Sequence, residues 1–179
     1  MVKRVEEHSD SQQVKTLLKK MLGEKPPIFL LRRIRAMIDK ELDSYLQRKC
    51  QITLPQFHVL AFLYFSVLQG KRVPLSELAE ILMVTKGNIT GLIDRLKTQK
   101  YVRRTRCKSD RRQILVEITP EGSSKLESAI LHHKKFIQGI MESILTTEER
   151  MQFHRLLKKI NENLPLALSE IKNKLENEQ

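Results

Sequence analysis

The sequence predicts a mainly α-helical fold carrying one small β-hairpin, and three observations predict it. Apolar residues recur at three and four positions along most of the 179-residue chain, the spacing of helix faces. Only six Gly and six Pro are present, so turns are few and helices long. One stretch, residues 101–119, switches to alternation and a β-branched run, the period of strands. With 40% apolar and 30% charged residues, the composition is that of a folded domain rather than a disordered chain.

Each element follows in order. Val14, Leu17, Leu18, Met21 and Leu22 predict a short first helix ended by Gly23, within an N-terminal extension over residues 1–25. Pro26 and Pro27 open a longer helix. Its stripe is Ile28, Leu31, Ile34, Ile38, Leu42 and Tyr45, and its opposite face carries Arg32, Arg33, Lys40 and Asp43. Thr53-Leu54-Pro55-Gln56 is a helix-start signature: Thr53 caps, Gln56 reaches back to its N–H, and Pro55 is tolerated in the first turn. A strongly apolar helix runs from Phe57 through Leu60, Ala61, Tyr64 and Val67 to Leu68, closed by Gln69-Gly70. Arg72-Val73-Pro74 suffices only for a stub of edge strand.

Two short helices come next. Ser76 is expected to cap the first, burying Leu78, Ala79 and Leu82; Thr85 caps the second, burying Ile89, Leu92, Ile93 and Leu96. Only Met83-Val84 separates them, so they must cross rather than lie antiparallel. Tyr101–Arg106 then alternates, Gln113–Thr119 is β-branched, and Lys108-Ser109-Asp110-Arg111 forms the turn-rich tip of an exposed hairpin. Pro120-Glu121-Gly122 starts a helix with Leu126, Ala129, Ile130, His133, Ile137, Ile140, Met141 and Ile144 in register. Thr146-Thr147-Glu148-Glu149 caps a last one, aligning Phe153, Leu156, Leu157, Ile160, Leu164, Leu168, Ile171 and Leu175. Pro165 is expected to kink or break it.

Charge narrows the function classes. The formal net charge is +12, which favours polyanions such as nucleic acid or an anionic membrane face. From Arg95 to Arg112, nine Lys and Arg face the single Asp110, so most of the excess sits in one segment. No Gly-rich phosphate loop, nucleophile elbow or HExxH motif is present; neither an enzyme nor a cofactor is expected. His132 and His133 are adjacent on a helix and point about 100° apart, which disfavours a shared metal. RNA and single-strand binders want exposed aromatics as stacking platforms; here the nine lie nearly all in apolar helix stripes, and only Tyr101 sits in the basic run. Cys50 and Cys107 have no CxxC spacing, which suits a reducing cytosol. No stretch is long and apolar enough for a membrane span, and Met1–Lys15 lacks a signal-peptide core. The chain is expected to be cytoplasmic.

A pair of crossing helices followed by a basic hairpin is a winged helix-turn-helix, here with long helical arms. The second short helix turns Gly87, Gly91, Asp94 and Thr98 outward, with Asn88, Thr90 and Arg95 on the flanks. Each exposed glycine costs about 1 kcal/mol of helix propensity and lets the backbone approach a partner. Lys86 and Asn88 occupy the N-terminal end, which meets base edges in a major groove. Asn pairs with adenine, while hydroxyls such as those of Thr85 and Thr90 suit phosphates. Lys100, Arg103 and Arg104 are expected to act on the DNA backbone mainly through charge.

LSELAEILMVTKGNITGLIDRL, followed by KTQKYVRR, resembles the recognition region of the MarR (multiple antibiotic resistance regulator) family. The hairpin resembles that family's wing pattern, D-x-R…L-T-x-x-G, through Asp110, Arg111, Arg112, Ile118, Thr119 and Gly122; Ile118 departs from the usual Leu. The resemblance covers roughly residues 28–175 and implies that Asp110 takes the acidic wing position and Arg112 enters the minor groove. It also implies a winged helix-turn-helix over residues 54–122 and dimerisation arms over 28–52 and 123–179. Leu31, Ile34, Ile38, Phe153, Leu156, Ile160, Leu164, Leu168 and Ile171 are the expected dimer contacts, since the arms hold more apolar positions than a monomer covers. The expected function is a homodimeric, sequence-specific double-stranded DNA-binding regulator. Most simply it is a repressor on a pseudo-palindromic operator, with a small-molecule effector implied by the resemblance. The alternative is an architectural, nucleoid-like DNA binder of low specificity. The family's peroxide-sensing branch carries a thiol near the start of its first arm helix, a place neither cysteine matches. Arg106 and Lys108 would lower the Cys107 pKa, making it the more reactive thiol.

Overall fold

The computed structural model describes residues 12, 14–19, 23, 27–106 and 113–177. Helix α1 lies within residues 14–19. The following elements are α2 (Pro27–Cys50), α3 (Leu54–Leu68), β1 (Val73–Pro74), α4 (Leu75–Ile81) and α5 (Lys86–Thr98). The chain continues through β2 (Val102–Arg106), β3 (Ile114–Ile118), α6 (Pro120–Ile144) and α7 (Thr147–Asn177). This is the mainly α fold with a β-hairpin that the sequence predicts. Met21 and Leu22, and the residues after Gly23 where the first helix is expected to have ended, lie outside the described residues.

The chain divides into two compact units, Met1–Ala129 and Ile130–Gln179. The first is built around α3. Thr53 is extended (φ −81°, ψ 159°), its hydroxyl accepts from the Gln56 N–H at 3.3 Å, and its own N–H donates to Gln56 Oε1 at 2.9 Å. That is the capping box expected from the sequence. Asp43 was expected on the outer face of α2; it is half-buried instead and accepts from the Leu54 N–H at 2.6 Å. The reason is the positive end of α3, whose orphan amides attract a carboxylate. Val59, Leu60 and Leu63 are essentially inaccessible. Full burial of such a side chain contributes about 1.5–3 kcal/mol. Around them pack α2, α5 and β3, with Leu46, Ile93, Leu96 and Val116 buried.

The three strands form an antiparallel sheet in the order β1-β3-β2. Val73 pairs with Val116 across one edge of β3 and Arg104 with Val116 across the other. Pairing of β1 explains a correction at α4. Its N-cap is Pro74, without a side-chain cap, and Ser76 lies inside the helix. The strand runs straight into the helix, leaving no residue for a hydroxyl cap. Leu78 and Ala79 are buried as expected, while Leu82 is half-buried. Met83 takes φ +52° in the turn, and the chain enters α5 at Thr85, whose side chain accepts from the Asn88 N–H.

In the second unit, Thr146 and Glu149 form another capping box at the start of α7, with bonds of 2.8 and 3.3 Å. Pro165 does not break α7, which is continuous from Thr147 to Asn177. Proline removes one intrahelical bond and crowds the carbonyl four residues back, a local cost that the remaining turns of a 31-residue helix outweigh. No side chain of α7 is buried; its apolar stripe from Phe153 to Leu175 is 37–59% exposed. Among the described residues no single helix is long and apolar enough to cross a membrane. The pair α2 and α3 passes only as a combination bent by 77°, and α3 is the buried core helix.

Candidate nucleic-acid interface

Helix α5 buries Ile89, Leu92, Ile93 and Leu96, which turns every other position outward. Thr85, Lys86, Asn88, Thr90, Gly91 and Arg95 are all exposed. A methyl group added at Gly87 or Gly91 would meet nothing within 4 Å, so both glycines open the helix surface rather than fit a crowded packing site. The Thr90 hydroxyl donates back to the Lys86 carbonyl at 2.8 Å, leaving its lone pairs outward. Thr85 and Lys86 sit at the positive end of the helix dipole, where anions are favoured. A groove of about 280 Å³ lined by Ser76, Lys86, Thr90, Gln113 and Ile114 separates this end of α5 from the start of β3.

The hairpin arginines are arranged less simply than the sequence implied. Lys100 is exposed and left-handed (φ +62°), ending α5 through the Tyr101 N–H to the Leu96 carbonyl at 2.9 Å. Arg103 pairs with Glu117 across the strands at 2.7 Å, and Glu117 also meets Arg72 at 3.5 Å. Both arginines stay about two-thirds exposed, so the shared carboxylate gathers two cations at the sheet surface. Arg104 turns the other way, onto α5, at 2.6 Å from Asp94. Asp110, Arg111 and Arg112, with Cys107 and Lys108, lie outside the described residues.

Three contacts escaped the sequence reading. Glu117 collects arginines from two different strands or their flanks. Asp94 pairs with the strand residue Arg104; an acid on a surface expected to meet phosphates was the signal available. Gln56, buried beyond its capping role, donates to Gln99 Oε1 at 2.9 Å. It thereby ties the start of α3 to the C-cap of α5.

A second cavity, of about 350 Å³, lies between α2, α3 and the α4–α5 pair, with Asp39, Asp43, Leu54, His58, Val84 and Leu92 among its walls. Partial burial pushes the His58 pKa below its ordinary value, with Asp39 opposing and Arg35 reinforcing the shift. Cys50 is buried, and burial raises its thiol pKa against the pull of Lys125, which disfavours the thiolate. Among the described residues no group of His, Cys, Asp and Glu could hold a metal ion.

Crossing helices, a surface-open second helix and a flanking basic hairpin define a winged helix-turn-helix protein. Sequence comparison matches residues 51–113 to the MarR family. The chain is 31% identical over 122 residues to the multiple antibiotic resistance protein MarR of Salmonella typhimurium, covering 68% of this chain and 81% of that protein. It is 34% identical over 109 residues to the HTH-type transcriptional repressor YetL of Bacillus subtilis, covering 61% of this chain and 64% of that repressor, just under two thirds of its length. A mutant MarR from E. coli, solved in complex with operator DNA, superposes with a TM-score of 0.59 at 29% identity, over 74% of this chain and 94% of that one. The chain belongs to the MarR family, whose members are DNA-binding transcriptional regulators and not enzymes.

Proposed function

We propose that this protein is a homodimeric repressor that occupies a pseudo-palindromic operator in the cytoplasm and is relieved by a small molecule. The observation that carries the reading is the outward face of α5, with Lys86, Asn88, Thr90 and two uncrowded glycines exposed together. A major groove admits one helix whose N-terminal residues reach base edges. Thr85, Thr90, Arg95, Lys100 and Arg103 surround that contact with phosphate-binding groups, and Gly91 lets the helix backbone come close. Arg112 is the minor-groove residue proposed from the wing pattern, supported by Asp110 and Arg111.

Dimerisation accounts for the apolar stripe of α7, together with Ile34, which is 49% exposed, and the half-buried Leu31 and Ile38 of α2. The cavity beside His58 is the place for an effector. It touches Leu92 of α5, so a bound molecule would bias the recognition helix directly. A competition assay at fixed salt tests the reading. A specific repressor prefers its operator over bulk DNA by about 10³ or more; a ratio far below that would make the protein an architectural binder.

A further inference from the structure

Asp94 stands on the outward face of α5, a surface where a negative charge would repel phosphates. Its Oδ1 lies 2.6 Å from Arg104 Nη1, and Arg104 Nη2 donates to the Thr90 carbonyl at 3.1 Å. One guanidinium on β2 therefore grips α5 at two points about one turn apart. Only 21% of the Arg104 side chain is exposed, and its Nε is buried without a partner. An arginine serving as a phosphate contact would extend its head into water; this one is withdrawn from water at the cost of an unsatisfied donor. The two anchor points flank Gly91, one of the two glycines that weaken this helix. The clamp thus holds the stretch of α5 with the least intrinsic rigidity.

We propose that Arg104 is a positioning residue for DNA selectivity. Paired with Asp94, it fixes the angle of α5 against the hairpin and cancels the acidic charge on the groove-facing surface, and it makes no phosphate contact of its own. The proposal rests on α5 being the DNA-reading helix. The planar fork matters, because a lysine ammonium offers a point charge and no paired geometry.

The test uses a duplex that the wild-type protein selects from a randomised pool, set against a random duplex of equal length. Fluorescence anisotropy is measured across salt concentrations for Arg104→Met, Arg104→Lys, Asp94→Asn and the double variant Arg104→Met/Asp94→Asn. The selected-to-random affinity ratio is expected to fall on the order of 10-fold in Arg104→Met. The salt slope should stay unchanged, Arg104→Lys should rescue in part, and the double variant should lose no more than the worse single one. Equal weakening of both duplexes, with a slope smaller by about one unit, makes Arg104 a phosphate contact and overturns the proposal. So does an Asp94→Asn variant that binds both duplexes more tightly with selectivity intact. Thermal unfolding accompanies each variant. Should Arg104→Met not fold, Asp94→Asn still decides, since it alters a side chain 54% exposed. A wild-type protein that selects no sequence overturns the DNA-reading assignment and this inference with it; selection undiminished in the variants overturns the inference alone.

Discussion

An added methyl at Gly122 would sit 2.1 Å from the Tyr101 carbonyl oxygen and 2.9 Å from the Ile118 side chain. Thr119 closes the same corner. Its hydroxyl donates to the Lys100 carbonyl at 2.6 Å and accepts from the Gly122 N–H at 3.0 Å. The Thr and Gly of the wing pattern therefore lock the end of α5 to the start of α6, which is a packing role and not a DNA contact. Gly122→Ala is expected to destabilise the fold by about 3 kcal/mol, read as a lower urea midpoint; an unchanged midpoint would show that the corner relaxes freely. His58 supplies a pH dependence. Its folded pKa lies below the ordinary 6.5, so near and below that pH the unfolded chain binds more protons than the folded one. Its contribution is complete above pH 6.5 and is lost as pH falls through that value toward the folded pKa. Urea midpoints at neutral and mildly acidic pH should therefore diverge less in His58→Gln than in the wild type. Identical divergence in the two proteins would remove His58 as the cause.

Among the elements, α3 and α7 carry opposite lessons. The capping box at Thr53 was legible because its bonds are local, within three residues. The Gln56–Gln99 bond spans 43 positions, and nothing in the local pattern announces it. Gln56→Ala should cost about 1–2 kcal/mol, since it removes a cap partner and leaves a buried donor site empty. Gln56→Glu keeps the acceptor for Thr53, loses the donor to Gln99, and should fall between the wild type and Ala in chemical denaturation. For α7, the sequence predicted a kink or break at Pro165 and the structure shows neither a gap nor an end there. Pro165→Ala should accordingly stabilise α7 by up to about 3 kcal/mol, seen as a raised thermal midpoint. A lowered midpoint would mean that the proline shapes a contact surface the helix needs.

At the scale of the whole molecule, the exposed apolar stripe of α7 is a feature that a single chain leaves without a partner. The proposed dimer would cover this stripe, as exposed apolar faces commonly are, and its two-fold symmetry would present two copies of α5 about one helical turn of DNA apart. Truncation after Leu145 should give an aggregated or unfolded chain in analytical ultracentrifugation. A soluble, folded monomer that still binds DNA would sink the dimer reading. Footprinting gives the companion measurement: Asn88→Ala should relax one base pair in each half-site by about 1–3 kcal/mol.

The sequence by itself determined what depends on neighbours along the chain. Helix faces, the Thr53 and Thr85 caps, the crossing of α4 and α5 and the hairpin all follow from periodicity and from turns of a few residues. The exposed identity of Lys86, Asn88, Thr90 and Gly91 follows too, because burial of Ile89, Leu92 and Leu96 leaves a helix no other arrangement. Tertiary structure alone decided the fate of the charges. Arg103 and Arg104 are adjacent and alike in sequence, yet strand alternation sends one to Glu117 and the other onto Asp94. A run of basic residues fixes an electrostatic sign, but each cation's partner depends on which elements the fold brings within 3 Å or so of its fork.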